Sequence, residues 1–384
     1  MTIETVKGFR DVEDCSKRNF IRKIIEQTFK SYNFLNVETP VIEYEEFVKG
    51  NNTNDEAVSD IFRLKDRGER KLALRYEFTF QLKRLANNKK LPYKRYQIGE
   101  VFRDEPVAGN RWRQFTQCDC DIIGSGIKDE AEILKIASEI LGSIGIKFVI
   151  NFNSRKLLNE ILADVGVSEK NREQVIREID KLDKLSEKEV RENLKKFNAE
   201  KALDIFKKPE KYFEKYSTYS EIAELKKISS MYKIKLNFLP YLARGLSYYN
   251  GSVFEIKSDL KETIAAGGSY LVNGIQASGI SFGLDRLELI SKIETEDKKV
   301  LLISLGEDKK AIELSDEIRK KGIGCSVMYG KPGKALDYAN SYRIKYVIFV
   351  GEDEVKKKKY KLKDMASGKE SMLSEKDLLL SVTK

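Results

Sequence analysis

Two neighbouring segments, Lys94–Arg103 (KRYQIGEVFR) and Trp112–Ile123 (WRQFTQCDCDII), decide the fold, and a loop rich in turn-forming residues joins them. In the first segment the apolar residues Tyr96, Ile98 and Phe102 alternate with polar ones, and a period of two is typical of a β-strand. The second segment is also strand-like. Together the two segments predict a long antiparallel hairpin.

The second strand of this hairpin has two unlike faces, because successive side chains of a strand point to opposite sides. Cys118 and Cys120 share one face, and we interpret them as small buried residues rather than metal ligands. The other face combines guanidinium, aromatic, amide and carboxylate groups, namely Arg113, Phe115, Gln117, Asp119 and Asp121.

Charged residues crowd the two strand ends beside the loop: Arg103, Glu105, Arg111 and Arg113. Guanidinium groups bind phosphate oxygens in a forked geometry, and an aromatic face can stack on a nucleobase. The same residues also suit an ordinary charged hairpin with ion pairs across its strands. From this segment alone the nucleotide-binding and the purely structural interpretations stay equally open.

Upstream of the hairpin, helical spacing of apolar residues predicts a helix over Arg18–Tyr32, and an extended piece follows that Pro40 stops. A second candidate site lies in Leu72–Ala86 (LALRYEFTFQLKRLA), where Glu77 and Thr79 follow each other at strand spacing. A carboxylate and a hydroxyl on one face would suit an ammonium group. The alternative is a strand that enters a helix capped by Thr79.

Downstream, residues 154–230 are dominated by Lys, Glu, Leu and Ile, and this composition predicts a helical module inserted between two β-rich parts. A third candidate site follows in Ala243–Glu255 (ARGLSYYNGSVFE). There Arg244, Tyr248 and Tyr249 can place a cation and two phenols in one cavity, although two tyrosines in sequence are more often packing residues.

A fourth candidate site lies in Ser278–Glu288 (SGISFGLDRLE). Gly279 and Gly283 permit a close backbone approach, and Arg286 lies one turn into a helix that begins near Gly283. The alternative for Asp285 and Arg286 is a surface ion pair.

Residues 300–384 form a pattern of their own. Short apolar strands (VLLISL, CSVMY and YVIFVG) alternate with amphipathic stretches. This order predicts a parallel sheet with right-handed crossovers, and therefore a separate α/β domain.

Composition limits the possible functions. The chain has 384 residues, 41% of them hydrophobic, and its 71 Lys and Arg against 61 Asp and Glu leave a net charge of +10. The basic excess suits a polyanionic partner, but Lys-rich solvated helices give the same sum. No apolar run approaches the ~20 residues that span a bilayer, and the N-terminus lacks the apolar core of a signal peptide. We therefore expect a cytoplasmic protein that does not enter a membrane.

The chain contains no histidine. This excludes Ser-His-Asp and Cys-His catalysis, histidine general bases and histidine metal ligands. The cysteines include no CxxC pair, so no zinc site is expected, and the GxGxxG and GxxxxGK[ST] nucleotide motifs are absent. Any chemistry must therefore use carboxylates, guanidinium groups, lysines, backbone dipoles or groups of the substrate.

Taken in chain order, the segments resemble a class II aminoacyl-tRNA synthetase, and within that class the histidyl-tRNA synthetase family. Residues 102–105 (FRDE) with 111–115 (RWRQF) resemble motif 2, and residues 283–288 (GLDRLE) resemble motif 3. The first helix, strand and proline resemble motif 1, which forms the dimer interface in this class. LRYEFT and RGLSYYNGSVFE resemble the two histidine-binding signatures of the family, KGFRDV resembles its opening motif, and the C-terminal block resembles its anticodon-binding domain.

This resemblance implies an α+β fold: a class II antiparallel-sheet catalytic domain with a helical insertion, and a C-terminal α/β anticodon-binding domain. It implies the following division of the chain: residues 1–153 for the first part of the catalytic domain, 154–230 for the insertion, 231–291 for the second part, 292–299 for a linker and 300–384 for the anticodon-binding domain.

The resemblance also implies the residues of an ATP site. Arg103 and Arg244 would be catalytic at the α-phosphate, where Arg244 takes a role that a metal ion plays elsewhere in the class. The implied ATP-binding residues are Arg103 for the α-phosphate, Arg111 and Arg286 for the γ-phosphate, Phe115 and Arg286 on either side of the adenine, and Glu105 at its amino edge.

Histidine would bind beside the ATP. Asp121 and Tyr249 would hydrogen-bond the two imidazole nitrogens, and a site built around such bonds rejects ligands that lack them. The implied histidine-binding residues are Glu77, Thr79, Gln117, Asp121, Arg244, Tyr248 and Tyr249. No metal-binding side chain is implied with certainty.

The chain departs from the family pattern at three positions. The family has aspartate where this chain has Ser247, and arginine and aspartate where it has Ser269 and Leu271. We hypothesise that the missing aspartate at Ser247 and the missing arginine at Ser269 are normally partners, lost together so that neither is left buried and unpaired.

The implied function is ATP-dependent ligation of L-histidine to its cognate tRNA through a histidyl-adenylate, with ATP and Mg2+ as cofactors. The implied partners are the acceptor end and anticodon of the tRNA, and a second copy of the chain in a homodimer. Two alternatives are a catalytically inactive paralogue that regulates histidine biosynthesis and a tRNA-binding sensor module. Histidine-dependent exchange between ATP and pyrophosphate separates the first function from both.

Overall fold

The computed structural model describes residues 4–50, 56–107, 111–244, 248–258, 263–294 and 299–383. They form two compact units, one ending at Ile293 and the other beginning at Glu294. Within the described residues, no helix is both long and apolar enough to cross a membrane.

The α-helices are α1 Ser16–Ser31, α2 Glu45–Lys49, α3 Glu56–Ser59, α4 Leu82–Leu85, α5 Ile127–Ser143, α6 Arg155–Asp164, α7 Glu169–Asp180, α8 Glu187–Lys195, α9 Lys201–Phe206, α10 Tyr219–Met231, α11 Leu284–Ile290, α12 Asp308–Lys320, α13 Pro332–Ser341, α14 Glu352–Lys357 and α15 Glu375–Thr383. Two short 3-10 helices lie at Lys181–Asp183 and Glu210–Lys215.

The strands are β1 Leu35–Asn36, β2 Ile42–Tyr44, β3 Arg63–Lys65, β4 Lys71–Leu74, β5 Tyr93–Phe102, β6 Gln114–Ile123, β7 Phe148–Ser154, β8 Leu236–Phe238, β9 Tyr249–Ser258, β10 Thr263–Val272, β11 Ile275–Gly283, β12 Lys299–Leu305, β13 Gly324–Tyr329, β14 Tyr346–Gly351, β15 Lys359–Asp364 and β16 Glu370–Ser374.

The first unit is built on a large mixed sheet with the described strand order β1-β5-β6-β11-β10-β9-β7-β8. The inner strands pair antiparallel, and the short edge strands β1 and β8 pair parallel with β5 and β7. The predicted hairpin is confirmed as β5 and β6, whose register runs from Tyr93 opposite Ile123 to Phe102 opposite Gln114.

One side of this sheet is covered by the main apolar core. Ile21, Ile25 and Phe29 of α1 reach it at the helical spacing that the sequence indicated, and all three are fully buried. The predicted helical module is present as α6 to α10. Its apolar residues join the same core, and α10 packs against α5.

The second unit has its own sheet, with the described order β13-β12-β14-β15-β16. The predicted parallel strands are confirmed as β12, β13 and β14. Strands β15 and β16, for which the sequence pattern made no prediction, add an antiparallel edge to this parallel part of the sheet. Taken together, the two units confirm the predicted α+β class.

Candidate active site

The floor of the candidate site is strand β6, whose alternation separates two environments. Cys118 and Cys120 are fully buried in the core, as predicted, and burial raises the pKa of the Cys118 thiol well above its ordinary value. On the opposite face Gln117, Asp119 and Asp121 are buried polar side chains. Buried charges need partners, so this face requires a set of compensating groups.

Asp121 has two such partners. The Nη2 atom of Arg95 lies 2.7 Å from its Oδ2 oxygen, and the Tyr270 hydroxyl donates a hydrogen bond to its Oδ1 oxygen. Arg95 stands directly opposite Asp121 in the β5–β6 register. Arg95 and Tyr270 are not among the site residues predicted from the sequence. Polar Arg95 sits on the predicted strand, but only the register reveals its partner.

Asp119 is held by Gln117, whose Nε2 atom donates to both carboxylate oxygens at 3.0 and 2.9 Å. Burial, together with the nearby charge of Asp121, raises the pKa of Asp119 to about 7, although Arg95 opposes the shift. A carboxyl group in this condition changes charge in the neutral pH range.

One wall of the site is the segment that follows β4. The expectation that Glu77 and Thr79 lie on a strand is wrong, because β4 ends at Leu74 and the chain turns until α4 begins at Leu82. Thr79 does not cap that helix with its side chain either, since the N-cap residue is Gln81.

Glu77 nevertheless points to the site. It is buried and accepts a hydrogen bond of 3.3 Å from the Tyr248 hydroxyl, which also contacts Thr79. Burial raises the pKa of Glu77 to about 7, while the charge of Arg103 lowers it.

Three tyrosines form the second wall. The ring centroids of Tyr248 and Tyr249 are 4.8 Å apart, and Tyr270 lies 5.6 Å from Tyr248 and 6.5 Å from Tyr249. Burial raises the pKa of Tyr249 to about 12, so its hydroxyl stays a neutral donor. The tyrosine pair therefore lines the polar face as well as packing.

Arg244 and Arg286 are tied into one group of contacts. Arg244 has a left-handed backbone (φ 59°), and its Nη1 atom lies 3.2 Å from Glu255 Oε1. Thr263 donates to the same oxygen at 2.5 Å, and the Thr263 carbonyl accepts a 2.6 Å hydrogen bond from Arg286 Nη1. The two arginines thus meet on the two sides of Thr263.

The charged ends of the hairpin carry the remaining predicted residues. Glu105 lies 3.9 Å from Arg103 Nη1 and 3.7 Å from Arg111 Nη1, and these long distances leave the guanidinium groups open to other acceptors. The Arg103 guanidinium also lies over the Phe115 ring, 5.1 Å from its centroid. A cation and an aromatic ring are therefore in contact at this end of the hairpin, next to the ion pairs that the structural interpretation also expects.

The alternative interpretation, in which Asp285 and Arg286 form a surface ion pair, is wrong. Asp285 instead pairs with Arg10 at 3.0 Å and with Arg18 at 2.9 Å, and it accepts a 2.9 Å hydrogen bond from the Thr116 amide. Helix α11 begins at Leu284 after Gly283, as predicted.

Two of the three positions that depart from the family pattern, Ser269 and Leu271, lie among the residues that the structure describes. Ser269 is buried and donates a hydrogen bond to Glu130, a buried carboxyl of α5 whose pKa burial raises. Leu271 is half exposed. Ser247 lies outside the described residues, so the proposed pairing between positions 247 and 269 stays a prediction.

The described residues hold no group of three or more acidic, cysteine or histidine side chains that could enclose a metal ion. Mg2+ is commonly held by substrate phosphates with one or two carboxylates, and Glu255 and Glu105 are the carboxylates beside the arginines.

Two family models cover most of the chain. A model described as "Histidyl-tRNA synthetase" matches residues 8–287, and one described as "Anticodon binding domain" matches residues 299–384. "Histidine–tRNA ligase 2" of Shouchella clausii is 34% identical, over 96% of this chain and 97% of its own length. "Histidine–tRNA ligase" of Wolinella succinogenes is 32% identical, over 96% and 95%.

Solved structures share the fold. The histidyl-tRNA synthetase of Nostoc sp. PCC 7120 has a TM-score of 0.84 at 24% identity and covers 100% of this chain and 99% of its own. A Bacillus halodurans structure titled "ATP phosphoribosyltransferase regulatory subunit/histidyl-tRNA synthetase" has a TM-score of 0.77 at 20% identity, over 91% and 98%.

Proposed function

We propose a residue-level mechanism from the premise that this chain belongs to the histidyl-tRNA synthetase family, whose reaction, the ligation of histidine to tRNA, it carries out. The reaction runs in two steps on one site. Histidine is first activated with ATP, and the activated amino acid is then transferred to the tRNA.

In the first step the carboxylate of histidine attacks the α-phosphate of ATP. A new bond forms between the carboxylate oxygen and phosphorus, the bond to the bridging oxygen breaks, and pyrophosphate leaves. Arg103 and Arg244 neutralise the charge that develops on the α-phosphate, which is the kind of fixed electrostatic stabilisation that contributes most to such reactions. Mg2+ enters with the triphosphate as part of the substrate.

ATP is held by the charged ends of the hairpin and by α11. Arg111 and Arg286 bind the γ-phosphate, Phe115 and Arg286 enclose the adenine, and Glu105 accepts from its amino group. The long ion pairs of Glu105 and the ring contact of Arg103 support this arrangement, because they bring Arg103, Arg111, Glu105 and Phe115 close together.

Histidine is held by the polar face of β6 and the two walls. Glu77, Thr79 and Gln117 orient its ammonium and carboxylate groups, and Tyr248 positions Glu77. Asp121 and Tyr249 bind the two imidazole nitrogens. A neutral tyrosine hydroxyl and a carboxylate are complementary to a ring with one acceptor and one donor nitrogen.

In the second step a ribose hydroxyl at the tRNA acceptor end attacks the activated carbonyl. The hydroxyl proton passes to a phosphate oxygen of the adenylate, and adenylate leaves as AMP. No histidine side chain is required, since positioning and fixed charge supply the rate. This fits a chain without histidine.

The C-terminal unit binds the anticodon, and two copies of the chain form the working dimer. The match of residues 299–384 to an anticodon-binding domain supports the first part of this proposal. The motif 1 resemblance supports the second.

The single observation that carries the mechanism is the contact group that joins Arg244 and Arg286 through Glu255 and Thr263. The test is histidine-dependent exchange of pyrophosphate into ATP, followed by charging of tRNA. Arg103→Gln should lower kcat about 100- to 1,000-fold, the usual effect of removing one donor at a developing charge. Arg319→Gln in the C-terminal unit, an exposed arginine paired with Asp316, is the matched control and should exchange normally.

The alternative function is a catalytically inactive paralogue that regulates histidine biosynthesis. Absence of exchange in the well-folded wild-type protein would support it and would contradict the mechanism above. The intact phosphate-binding arginines and the anticodon-binding domain favour the enzyme, because such a paralogue has no need of either.

A further inference from the structure

Arg95 is a completely buried arginine on strand β5 of the hairpin, directly opposite Asp121 of β6. Its Nη2 atom lies 2.7 Å from Asp121 Oδ2 and donates a 3.0 Å hydrogen bond to the carbonyl of Phe78. A buried guanidinium is costly unless it is paired, and Asp121 and Asp119 are the acids that face it. The position of Arg95 is therefore coupled to the acids on β6.

Asp121 is fixed from three directions. Arg95 binds one oxygen, Tyr270 donates to the other, and Gly279 lies against the carboxylate where a β-carbon would collide with it. A carboxylate has about four acceptor positions, of which the Tyr270 hydroxyl fills one, while Arg95 lies against the other oxygen as an ion-pair partner. These contacts therefore hold the carboxylate in one orientation and leave it able to accept a further hydrogen bond.

The charge of Arg95 favours the ionised form of Asp121, against the effect of burial. The titratable and charged groups around Asp121 are Arg95 on β5, Asp119 on β6 and Tyr270 on β10, while Glu77 and Tyr249 face Asp119 from the walls. Two carboxyl groups in one dry site without a cation cannot both ionise, and one of them takes up a proton. Arg95 eases that conflict for Asp121, although the pKa of Asp119 stays raised.

We propose that Arg95 is a positioning residue for the recognition of histidine. It keeps Asp121 ionised and aimed, so that the carboxylate accepts the N–H of an imidazole and the site discriminates against side chains without that donor. The proposal rests on the function proposed above and deepens it, because it assigns side-chain specificity to a buried ion pair that does not itself touch the substrate.

The test compares Arg95→Met, Arg95→Lys and Asp121→Asn in the exchange assay, with KM measured separately for histidine and for ATP between pH 6.5 and 9.5. Arg95→Met should raise KM for histidine about 10- to 100-fold at pH 7, the range for a lost hydrogen bond to a charged group. KM for ATP should stay within about twofold, because the ATP-binding residues are other side chains.

The pH dependence separates a positioning role from a merely structural one. In Arg95→Met the free Asp121 carboxyl ionises only at higher pH, so KM for histidine should fall again as the pH rises from 7 to 9.5. Asp121→Asn has no ionisable group at this position, so its KM for histidine should stay high over the whole pH range. Arg95→Lys keeps the cation and should restore most of the affinity without a pH-dependent recovery.

Arg155→Met is the matched control. Arg155 is also a buried arginine in a carboxylate pair, 2.8 Å from Glu173, but it belongs to α6 in the helical module. Its loss should lower the unfolding temperature without changing KM for histidine. If Arg95→Met leaves KM for histidine unchanged, as Arg155→Met should, the proposal is wrong.

Folding and function remain separable in this design. If Arg95→Met does not fold, Tyr270→Phe still tests the proposal, since it removes the other support of Asp121 and should raise KM for histidine selectively. An unchanged KM for histidine in Tyr270→Phe would overturn it. Failure of exchange in the wild type would instead overturn the proposed function.

Discussion

The buried acids of the site differ from one another in their supports, although all of them lie in the same sheet region. Asp121 has a guanidinium partner, Asp119 has an amide, and Glu77 has a phenol. Of the three, Asp121 forms the ion pair, while the charges of Arg95 and Arg103 only partly oppose the effect of burial on Asp119 and Glu77, and the pKa of both is raised to about 7. The site therefore changes its charge within the range of pH in which enzymes are assayed.

The activity of the chain should respond to this titration. The pKa of Glu77 is raised to about 7, so below that pH the free site holds a protonated carboxyl that cannot bind the ammonium of histidine as an ion. We expect kcat/KM for histidine in the exchange assay to rise between pH 6 and 8 and then level off. Glu77→Gln should have a lower kcat/KM for histidine. Its kcat/KM should rise with pH only as far as deprotonation of the substrate's imidazole causes a rise.

The same raised pKa has a consequence for stability. A folded carboxyl that binds its proton more tightly than the unfolded one, whose pKa is near 4.5, favours the folded state at low pH. The contribution of Glu77 to the stability of the free protein should therefore be lost as the pH rises from about 4.5 to about 7, and thermal unfolding of Glu77→Gln should lack this part of the pH dependence. A profile identical to that of the wild type would show that Glu77 is not buried as described.

The sequence could identify which side chains of one strand share a face, but not their partners. The alternation over residues 112–123 correctly separates the polar face with Gln117, Asp119 and Asp121 from the two buried cysteines. Arg95 and Tyr270 were missed, because they reach Asp121 through the register of neighbouring strands. Pairing between distant segments is a tertiary property that local periodicity does not contain.

At the scale of the elements, strand β11 approaches β6 so closely that one glycine becomes indispensable. A β-carbon at Gly279 would overlap the Asp121 carboxylate and lie 2.9 Å from the Cys120 carbonyl oxygen. By contrast, a β-carbon at Gly283 would meet nothing nearer than the Arg286 side chain at 3.9 Å. The sequence predicted close approach at both positions, and the structure supports it at the first.

Gly279→Ala should therefore displace Asp121 and raise KM for histidine at least tenfold, as expected when a positioned group moves by about 1 Å. Gly283→Ala is the control on the same strand and should retain the wild-type KM for histidine. The exchange assay measures both. Equal effects of the two substitutions would show that Asp121 does not depend on this contact.

Elements were predictable where a strong period had no rival. Helix α1 and the hairpin follow their patterns closely, whereas residues 75–79 imitate a strand without forming one. The cause is Arg75, which is buried and donates hydrogen bonds of 2.7 Å to the carbonyls of Thr39 and Glu100. These long-range bonds fix a turning backbone that the local alternation does not indicate.

At the scale of the molecule, the C-terminal unit has a core of its own. Strand β12 is buried on both faces, with Val300 and Leu302 in one apolar cluster and Leu301 and Ile303 in another. Near-continuous apolar runs of this kind are typical of parallel strands covered on both sides. The lysine-rich strand β15 lacks such a run, and this explains why the antiparallel edge was not predicted from the sequence.

Leu302→Ala should destabilise the C-terminal unit by about 2–5 kcal/mol, the usual range for a buried leucine. Unfolding followed by circular dichroism should then show an earlier transition, and charging of tRNA should weaken. Exchange between ATP and pyrophosphate should persist, because the candidate site lies wholly in the other unit. The control is Leu305→Ala at the partly exposed end of the same strand, which should change little.

The two faces of strand β6 have different roles. The odd-numbered residues Gln117, Asp119 and Asp121 line the candidate site, whereas Cys118 and Cys120 pack in the apolar core. Single substitutions can be tolerated in this strand, but an insertion or deletion of one residue cannot. It would shift the strand register by one, so that the acids would face the apolar core and the cysteines would face the site. Changes in chain length during divergence should therefore accumulate in the turn after Arg103 and avoid this strand.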